Sequence, residues 1–281
     1  MLYKLNNKSS LILEGGGLRG VFTCGVLDNF MERGINFPFT IGVSAGACNG
    51  LSYISNQKGR AKYSNIDLLQ KYRYIGLKYL FTQRNIMDFN LLFHKFPDEI
   101  IPYDYNKLAT TDKKFVMVTT SCETGEALYM EEYKDSRRVI DIVKASSSLP
   151  YVSPISYVDG IPMLDGGIAD SIPIDYALSQ GFDNPLIVLT RNRGYRKSES
   201  KSEFIPKLFY SKYPSLVKSI VSRNRRYNAT LDYIEKMEDE GKFKVIRPYK
   251  PIEVGRMEKN ANKLLSLYEE GYELASKFNL E

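Results

Sequence analysis

The stretch Leu11–Gly20, LILEGGGLRG, sets an apolar strand-like run against an acid, three consecutive glycines, an arginine and a further glycine. Two chemistries call for that much bare backbone at the end of a strand. One is a nucleotide phosphate cradled on a glycine loop, the other an oxyanion formed during acyl transfer. The next elements of the chain decide between them. Val21, Phe22, Val26 and Phe30 keep helical spacing between Arg19 and Arg33, and Gly34 supplies a stop. FTIGVS (Phe39–Ser44) then reads as a second short strand, and AGACNGLSYIS starts a helix directly after it. This strand–helix–strand–helix opening predicts a parallel sheet with right-handed crossovers.

Gly15, Gly17 and Gly20 fit G-x-G-x-x-G, the dinucleotide fingerprint. That fingerprint also needs an acid about 20 residues on, at the end of the second strand. Thr40 to Ser44 contain none, and Ser44 takes the place. Gly42-Val43-Ser44-Ala45-Gly46 instead matches G-x-S-x-G between a strand and a helix, the context in which such a turn aims a serine hydroxyl outward. Gly42 and Gly46 give steric room, and the helix N-terminus favours an anion developing beside Ser44. An α/β-hydrolase layout fails, because that fold places several strands before its serine and a histidine last. Here one strand–helix unit precedes Ser44. The sole histidine, His94, lies in FHKFPDE, upstream of every acid candidate.

A carboxylate is the available base. Asp165 closes the strand IPML and enters the turn Asp165-Gly166-Gly167, expected at the carboxyl edge of the parallel sheet. An unperturbed Asp, with pKa ~3.9, is a weak base. Burial would raise that value and let one carboxylate take the serine proton and return it to the leaving group. Gly15, Gly16 and Gly17 can then converge main-chain donors on the tetrahedral oxyanion, with Arg19 adding positive charge.

Composition bounds the rest. The 281 residues are 43% hydrophobic and 26% charged, ordinary for a globular α/β chain. No apolar run approaches the ~20 residues that span a bilayer. MLYKLNNKSS lacks a signal-peptide core, so a cytoplasmic location is expected. Cys24, Cys48 and Cys122 have no paired spacing, which argues against a disulfide framework or zinc site. The net charge of +6 permits contact with an anionic membrane surface, through TRNRGYRK or SRNRRYN (Ser222–Asn228), but no nucleic-acid module is present. Gln57 to Lys107 reads as short helices forming a lid or side wall, whose aromatic residues from Tyr63 to Tyr105 are candidates for an acyl groove. Residues 8–195 are assigned to the catalytic domain. After the polar segment RNRGYRKSESKSE, residues 196–281 form a mainly helical extension. It comprises a long helical region from Phe204 to Glu240, the strand FKVIRP and a final helix from about Glu258 to Phe278.

GGGLRG, GVSAG and DGG, in that order and on those elements, resemble the patatin-like phospholipase family, in its bacterial branch. The likeness covers roughly Ser10 to Thr190 and includes ASSSLPYVSP and DGGIADSIPI. Beyond Arg196, RPYKPIEVGRMEKNANKLLSLYEEGYE is similar to the C-terminal extension of some bacterial members. The resemblance implies a three-layer α/β/α sandwich with a mostly parallel central sheet. It also implies hydrolysis of lipid acyl esters by a Ser44–Asp165 dyad, with Gly15, Gly16 and Gly17 as oxyanion hole. Arg19, Gly20, Gly42, Gly46, Gly166 and Gly167 would be supporting motif positions. The dyad calls for no metal or cofactor. Phospholipid, lysophospholipid and neutral glyceride stay open as substrates. Acyl transfer, thioester cleavage and lipid binding without turnover are the alternatives.

Overall fold

In the computed structural model, which describes residues 2–199 and 202–280, a central sheet is sandwiched between two helical layers. Met1, Ser200, Lys201 and Glu281, which belong to the N-terminal stretch, the polar segment and the C-terminal extension, lie outside the described residues. The strands are β1 (Leu2–Tyr3), β2 (Ser9–Leu13), β3 (Phe39–Val43), β4 (Lys114–Ser121), β5 (Ala127–Met130), β6 (Ser156–Val158), β7 (Ile161–Asp165), β8 (Asn184–Val188), β9 (Lys244–Ile246) and β10 (Asn279–Leu280). The main sheet runs β6-β7-β4-β3-β2-β8-β9, with β5 also on β4 and β1 paired separately with β10. Strands β4, β3, β2, β8 and β9 are mutually parallel, while β5, β6 and β7 run antiparallel to their neighbours.

The helices are α1 (Val21–Glu32), α2 (Ala45–Ile54), α3 (Arg60–Lys62), α4 (Leu68–Tyr72), α5 (Lys78–Gln83), α6 (Tyr105–Ala109), α7 (Ser136–Ser146), α8 (Ile174–Ser179), α9 (Phe204–Tyr210), α10 (Pro214–Asp239) and α11 (Ala261–Ser276). Alternation along each strand sorts the core into two layers. Leu11, Leu13, Phe115 and Met117 face one apolar cluster with α1, α2, α7 and α11. Ile12, Ile41, Val116 and Val118 face another with α8 and α10. The layer holding α1 and α11 is closed by backbone contact. A Cβ on Gly25 would meet Tyr268 O at 2.0 Å, and one on Gly271 would meet Phe22 O at 2.1 Å. The C-terminal region therefore packs on the helix that follows the glycine loop.

Three local features differ from the sequence reading. The stretch 204–240 is not one helical run. Pro214 has no amide to donate, so it opens α10 after a break from α9 at residues 211–213. β6 is an additional strand, too short at three residues for alternation to mark it. The segment 57–107 does form short helices, two of them wide π-type turns at Tyr63–Asp67 and Leu91–Ile100. The second encloses Pro97.

Candidate active site

β3 and α2 meet at Ser44, which holds φ 55° and ψ −120°. A serine in that region stores roughly 1–3 kcal/mol of backbone strain and persists only where its surroundings impose it. Here the imposing groups are visible. A Cβ on Gly42 would sit 2.6 Å from the backbone of Gly46, and one on Gly46 would sit 2.4 Å from Leu13 O. The turn is thus wedged between α2 and β2 with room for glycine only. The Ser44 amide donates to Ser146 Oγ at 2.8 Å, and Ser146 in turn donates to Val118 O at 2.6 Å. Ser44 is 7% exposed.

Asp165 arrives from the other direction. β7 is antiparallel to β4, so the acid does not end a strand of the parallel set as the sequence reading supposed. Register nonetheless brings it level. Val43 pairs with Val118 and Asp165 with Thr119, which places Ser44 and Asp165 at one height on either side of β4. Two strand spacings, ~10 Å between backbones, separate them. The Asp165 amide donates to Ser148 O at 2.8 Å, and Asp165 Oδ1 accepts from Gly167 N at 2.8 Å. Oδ2 is buried and has no hydrogen-bond partner among the described residues. No hydrogen bond joins Ser44 Oγ to Asp165 among those residues either. Apo catalytic pairs are often loose in this way and tighten with substrate. Gly166 lies flush on β4, where a Cβ would be 2.2 Å from Val118 O.

The glycine loop lies against both. A Cβ on Gly15 would meet Val43 O at 2.9 Å and Ser44 Cβ at 3.1 Å, and Gly17 holds φ +58°. The amides of Gly15, Gly16 and Gly17 donate to no acceptor among the described residues, whereas Leu18 N donates to Arg256 O at 3.0 Å. Gly20 lets the loop touch α2, with Ala45 Cβ 2.8 Å from where its own Cβ would stand. Glu14, 2% exposed, anchors the loop by accepting from Thr190 N at 2.6 Å and from Tyr227 Oη on α10 at 2.7 Å.

Ser44 lines two cavities. The first, of about 150 Å³, is walled by Leu51, Tyr74, Phe93, Phe96 and Val143, and Cys48 and Ser52 continue the Ser44 face of α2 along it. The aromatic segment after Tyr63 therefore covers the serine. The second is narrow, about 20 Å³, and holds Asp165, the three glycines and the cations Arg19, Lys197, Arg223 and Arg256. Burial and then the neighbouring Arg191 pull Arg19 down to about 10. Burial, followed by Arg223, pulls Lys197 down to about 6. His94 lines neither cavity and stands by Asp98 and Tyr105 instead.

Sequence reasoning missed several positioning groups. In the run of serines 146–148, the first holds the Ser44 amide and the third holds the Asp165 amide. Ser147 Oγ lies 3.4 Å from Cys48 Sγ on the cavity wall. A triple serine before a helix-stopping proline was the available signal. Lys197 and Arg223 lie in the two basic segments singled out for anionic contact, but nothing local distinguishes them, or Arg256, from solvated cations. Several arginines of the basic segments are engaged within the protein. Arg193 pairs with Asp239 and Glu238, Arg196 with Asp232 and Glu235, and Arg226 donates to the carbonyls of Ile168 and Ala169.

Comparison with known proteins agrees with this layout. Residues 11–178 match the profile "Patatin-like phospholipase", and residues 213–280 match a domain of unknown function, DUF6363. The chain is 30% identical over 258 residues to the uncharacterized protein YjjU of Escherichia coli K12, covering 86% of this chain and 68% of that one. In fold it is similar to VipD from Legionella pneumophila, with a TM-score of 0.52 at 12% identity, over 97% of this chain and 66% of that one. The match over residues 11–178 spans more than half of the sequence, and the chain belongs to the patatin-like phospholipase family.

Proposed function

We propose that the protein is a lipid acyl hydrolase in which Ser44 is the nucleophile and Asp165 its proton partner. One observation carries the reading. A serine held at positive φ shares a cavity with a buried, unpartnered carboxylate oxygen and three unengaged glycine amides. Ser44 Oγ attacks the ester carbonyl and Asp165 Oδ2 takes its proton. The amides of Gly15, Gly16 and Gly17 receive the oxyanion, and loss of one such donor costs about 3–4 kcal/mol of barrier. The acyl chain lies in the apolar cavity. The alcohol leaves with the proton from Asp165, and water, activated by the same carboxylate, releases the acid.

A fluorophosphonate probe should label Ser44 in the folded protein. Ser44→Ala and Asp165→Asn should each lower hydrolysis of a fluorogenic fatty-acyl ester by about a thousandfold or more, and His94→Ala should keep most of it. A labelled but unreactive protein would point to acyl transfer. Absence of labelling would leave only lipid binding, and equal loss in the histidine variant would remove the dyad.

The lipid is met at a surface. Among the described residues no helix is long and apolar enough to cross a membrane. Two exposed apolar elements flank the cavity instead. The bridge between Ile75 and Met87 closes the base of a loop carrying Leu77 and Phe81, the latter 89% exposed, and Met87 lines the apolar cavity. Ile86 N donates to Val152 O at 2.8 Å, and the neighbouring Tyr151 ring contacts Phe209 of α9, which also exposes Phe204 and Leu208. Exposed Lys78, Arg84 and Lys212 accompany them. This reading places peripheral contact with an anionic membrane, from the cytoplasmic side, on these elements. Burying one large apolar side chain is worth about 1.5–3 kcal/mol. Phe81→Asp combined with Leu208→Asp should therefore weaken cosedimentation with phosphatidylglycerol vesicles at least tenfold, and unchanged binding would refute the placement.

A further inference from the structure

Four cations, Arg19, Lys197, Arg223 and Arg256, surround the narrow cavity beside Ser44 and Asp165, and among the described residues none of them is in an ion pair. This sets them apart from Arg138, Arg193, Arg196 and Arg247, each of which is in direct ion-pair contact with a carboxylate. The nearby acids balance them only in part, Asp165 beside Arg223 and Glu14 beside Arg19 and Lys197. Glu14 accepts from Thr190 and Tyr227, and Oδ1 of Asp165 accepts from Gly167. Arg19 is 5% exposed, and the Nε atoms of both Arg19 and Arg223 are buried without a partner. The Lys197 Nζ rests 3.2 Å from the centre of the Tyr227 ring. Positive charge that is withdrawn from water and only partly balanced is costly. Guanidinium groups converging on one space answer that cost when an oxyanion enters, since their donor forks match phosphate geometry.

Placement says which part of a substrate would bring that anion. The acyl cavity and the cationic cavity meet at Ser44, Gly17, Leu149 and Arg256. An ester lying across Ser44 with its acyl chain on the apolar side puts its alcohol part among the cations. There is room beyond them, because Arg223 and Ser171 also line a groove of about 780 Å³ between α8 and α10. Two of the four cations come from the region matching the domain of unknown function, Arg223 on α10 and Arg256 in the segment before α11. Arg256 is latched there by its own carbonyl, which accepts from Leu18 N in the glycine loop.

We infer that Arg19, Lys197, Arg223 and Arg256 form a phosphate subsite on the alcohol side of the scissile ester. Through it the C-terminal region selects glycerophospholipids and lysophospholipids over neutral glycerides. The inference rests on the reading of Ser44 as nucleophile, and its test separates the two.

The full chain is assayed on a matched pair, palmitoyl lysophosphatidylglycerol and monopalmitoylglycerol, with inorganic phosphate titrated against the neutral substrate. The wild type should favour the phosphate-bearing ester. Arg223→Gln and Arg256→Gln should each lower that kcat/KM ratio at least tenfold, mainly through KM. A disturbed Asp165 or a loosened fold slows both substrates and cancels in the ratio, and fluorophosphonate labelling of Ser44 verifies the site in each variant. No wild-type preference, together with phosphate inhibition that both variants abolish, would keep the subsite but assign it to free phosphate and overturn headgroup selection. A wild-type ratio near one without phosphate inhibition, or a preference untouched by both substitutions, would overturn the subsite. Failure of the Ser44 reading looks different, since hydrolysis of both esters would survive Ser44→Ala.

Discussion

On one side of Ser44 stand Leu51, Phe93 and Phe96, and on the other Arg19, Lys197 and Arg223, with Arg256 at the junction. The apolar wall is built mainly from α2 and the segment 61–103, with Ile140 and Val143 of α7 completing it. The cationic wall draws on residues as distant as Arg256, brought in because α11 packs on α1 and α10 closes the opposite layer. Ser44 therefore lies where its surroundings change polarity. A substrate that satisfies both walls must be an amphiphile cut near its polar–apolar junction, which is where an acyl ester of a lipid places its carbonyl. A neutral long-chain ester satisfies one wall only.

The apolar half can be broken by shortening it. Positions 44, 48 and 52 of α2 run along the cavity, a rise of ~12 Å from the serine. Ser52 lies at the far end of that row with its hydroxyl buried and unpartnered. Ser52→Phe should fill the cavity floor without touching the dyad. Losing burial of about three methylenes removes ~2.4 kcal/mol, so kcat/KM for a palmitoyl ester should fall about fiftyfold relative to a butyryl ester. A chain-length series measures this directly. A uniform drop across the series would show that the acyl chain lies elsewhere.

How locally each feature is completed explains what was readable in the sequence. GGGLRG, GVSAG and DGG are local motifs, because a glycine loop, a strained serine turn and an acid-capped turn are each completed within a few residues. Their order on alternating strands and helices specified the layered sheet. The direction of β7 was not readable, since it depends on the hairpin that Ser156–Val158 makes with it. Nor was the helix break at Pro214 anticipated, though a proline within a long helical run was a signal at hand. Arg223 and Arg256 were beyond reach for a stronger reason. In SRNRRYN the side chains of Arg223 and Arg226 have opposite fates, one outside any ion pair in the cavity beside Ser44 and Asp165 and one satisfied by backbone carbonyls. Helical phase and the packing of α10 decide between them, and no local pattern records either.

The cationic half can be sharpened through proton linkage, with a smaller effect. Lys197 faces Arg223 on α10, Arg256 before α11, Arg19 and Glu14 at the glycine loop, and the Tyr227 ring. Burial and these neighbours hold it at about 6, so above that pH the free site carries the neutral amine. A bound phosphate favours the ammonium and raises the value. Binding then takes up a proton, and affinity for the anion strengthens as pH falls from 8 towards 6. One linked proton gives at most about tenfold per pH unit. The expected result is a severalfold decrease in KM for lysophosphatidylglycerol over that range, read as a ratio to monopalmitoylglycerol so that titration of the shared dyad cancels. Lys197→Met should flatten the ratio while the preference contributed by Arg223 and Arg256 persists. A slope that survives the methionine would assign the linked proton to another group, and a slope of opposite sign would mean that Lys197 enters the complex unprotonated.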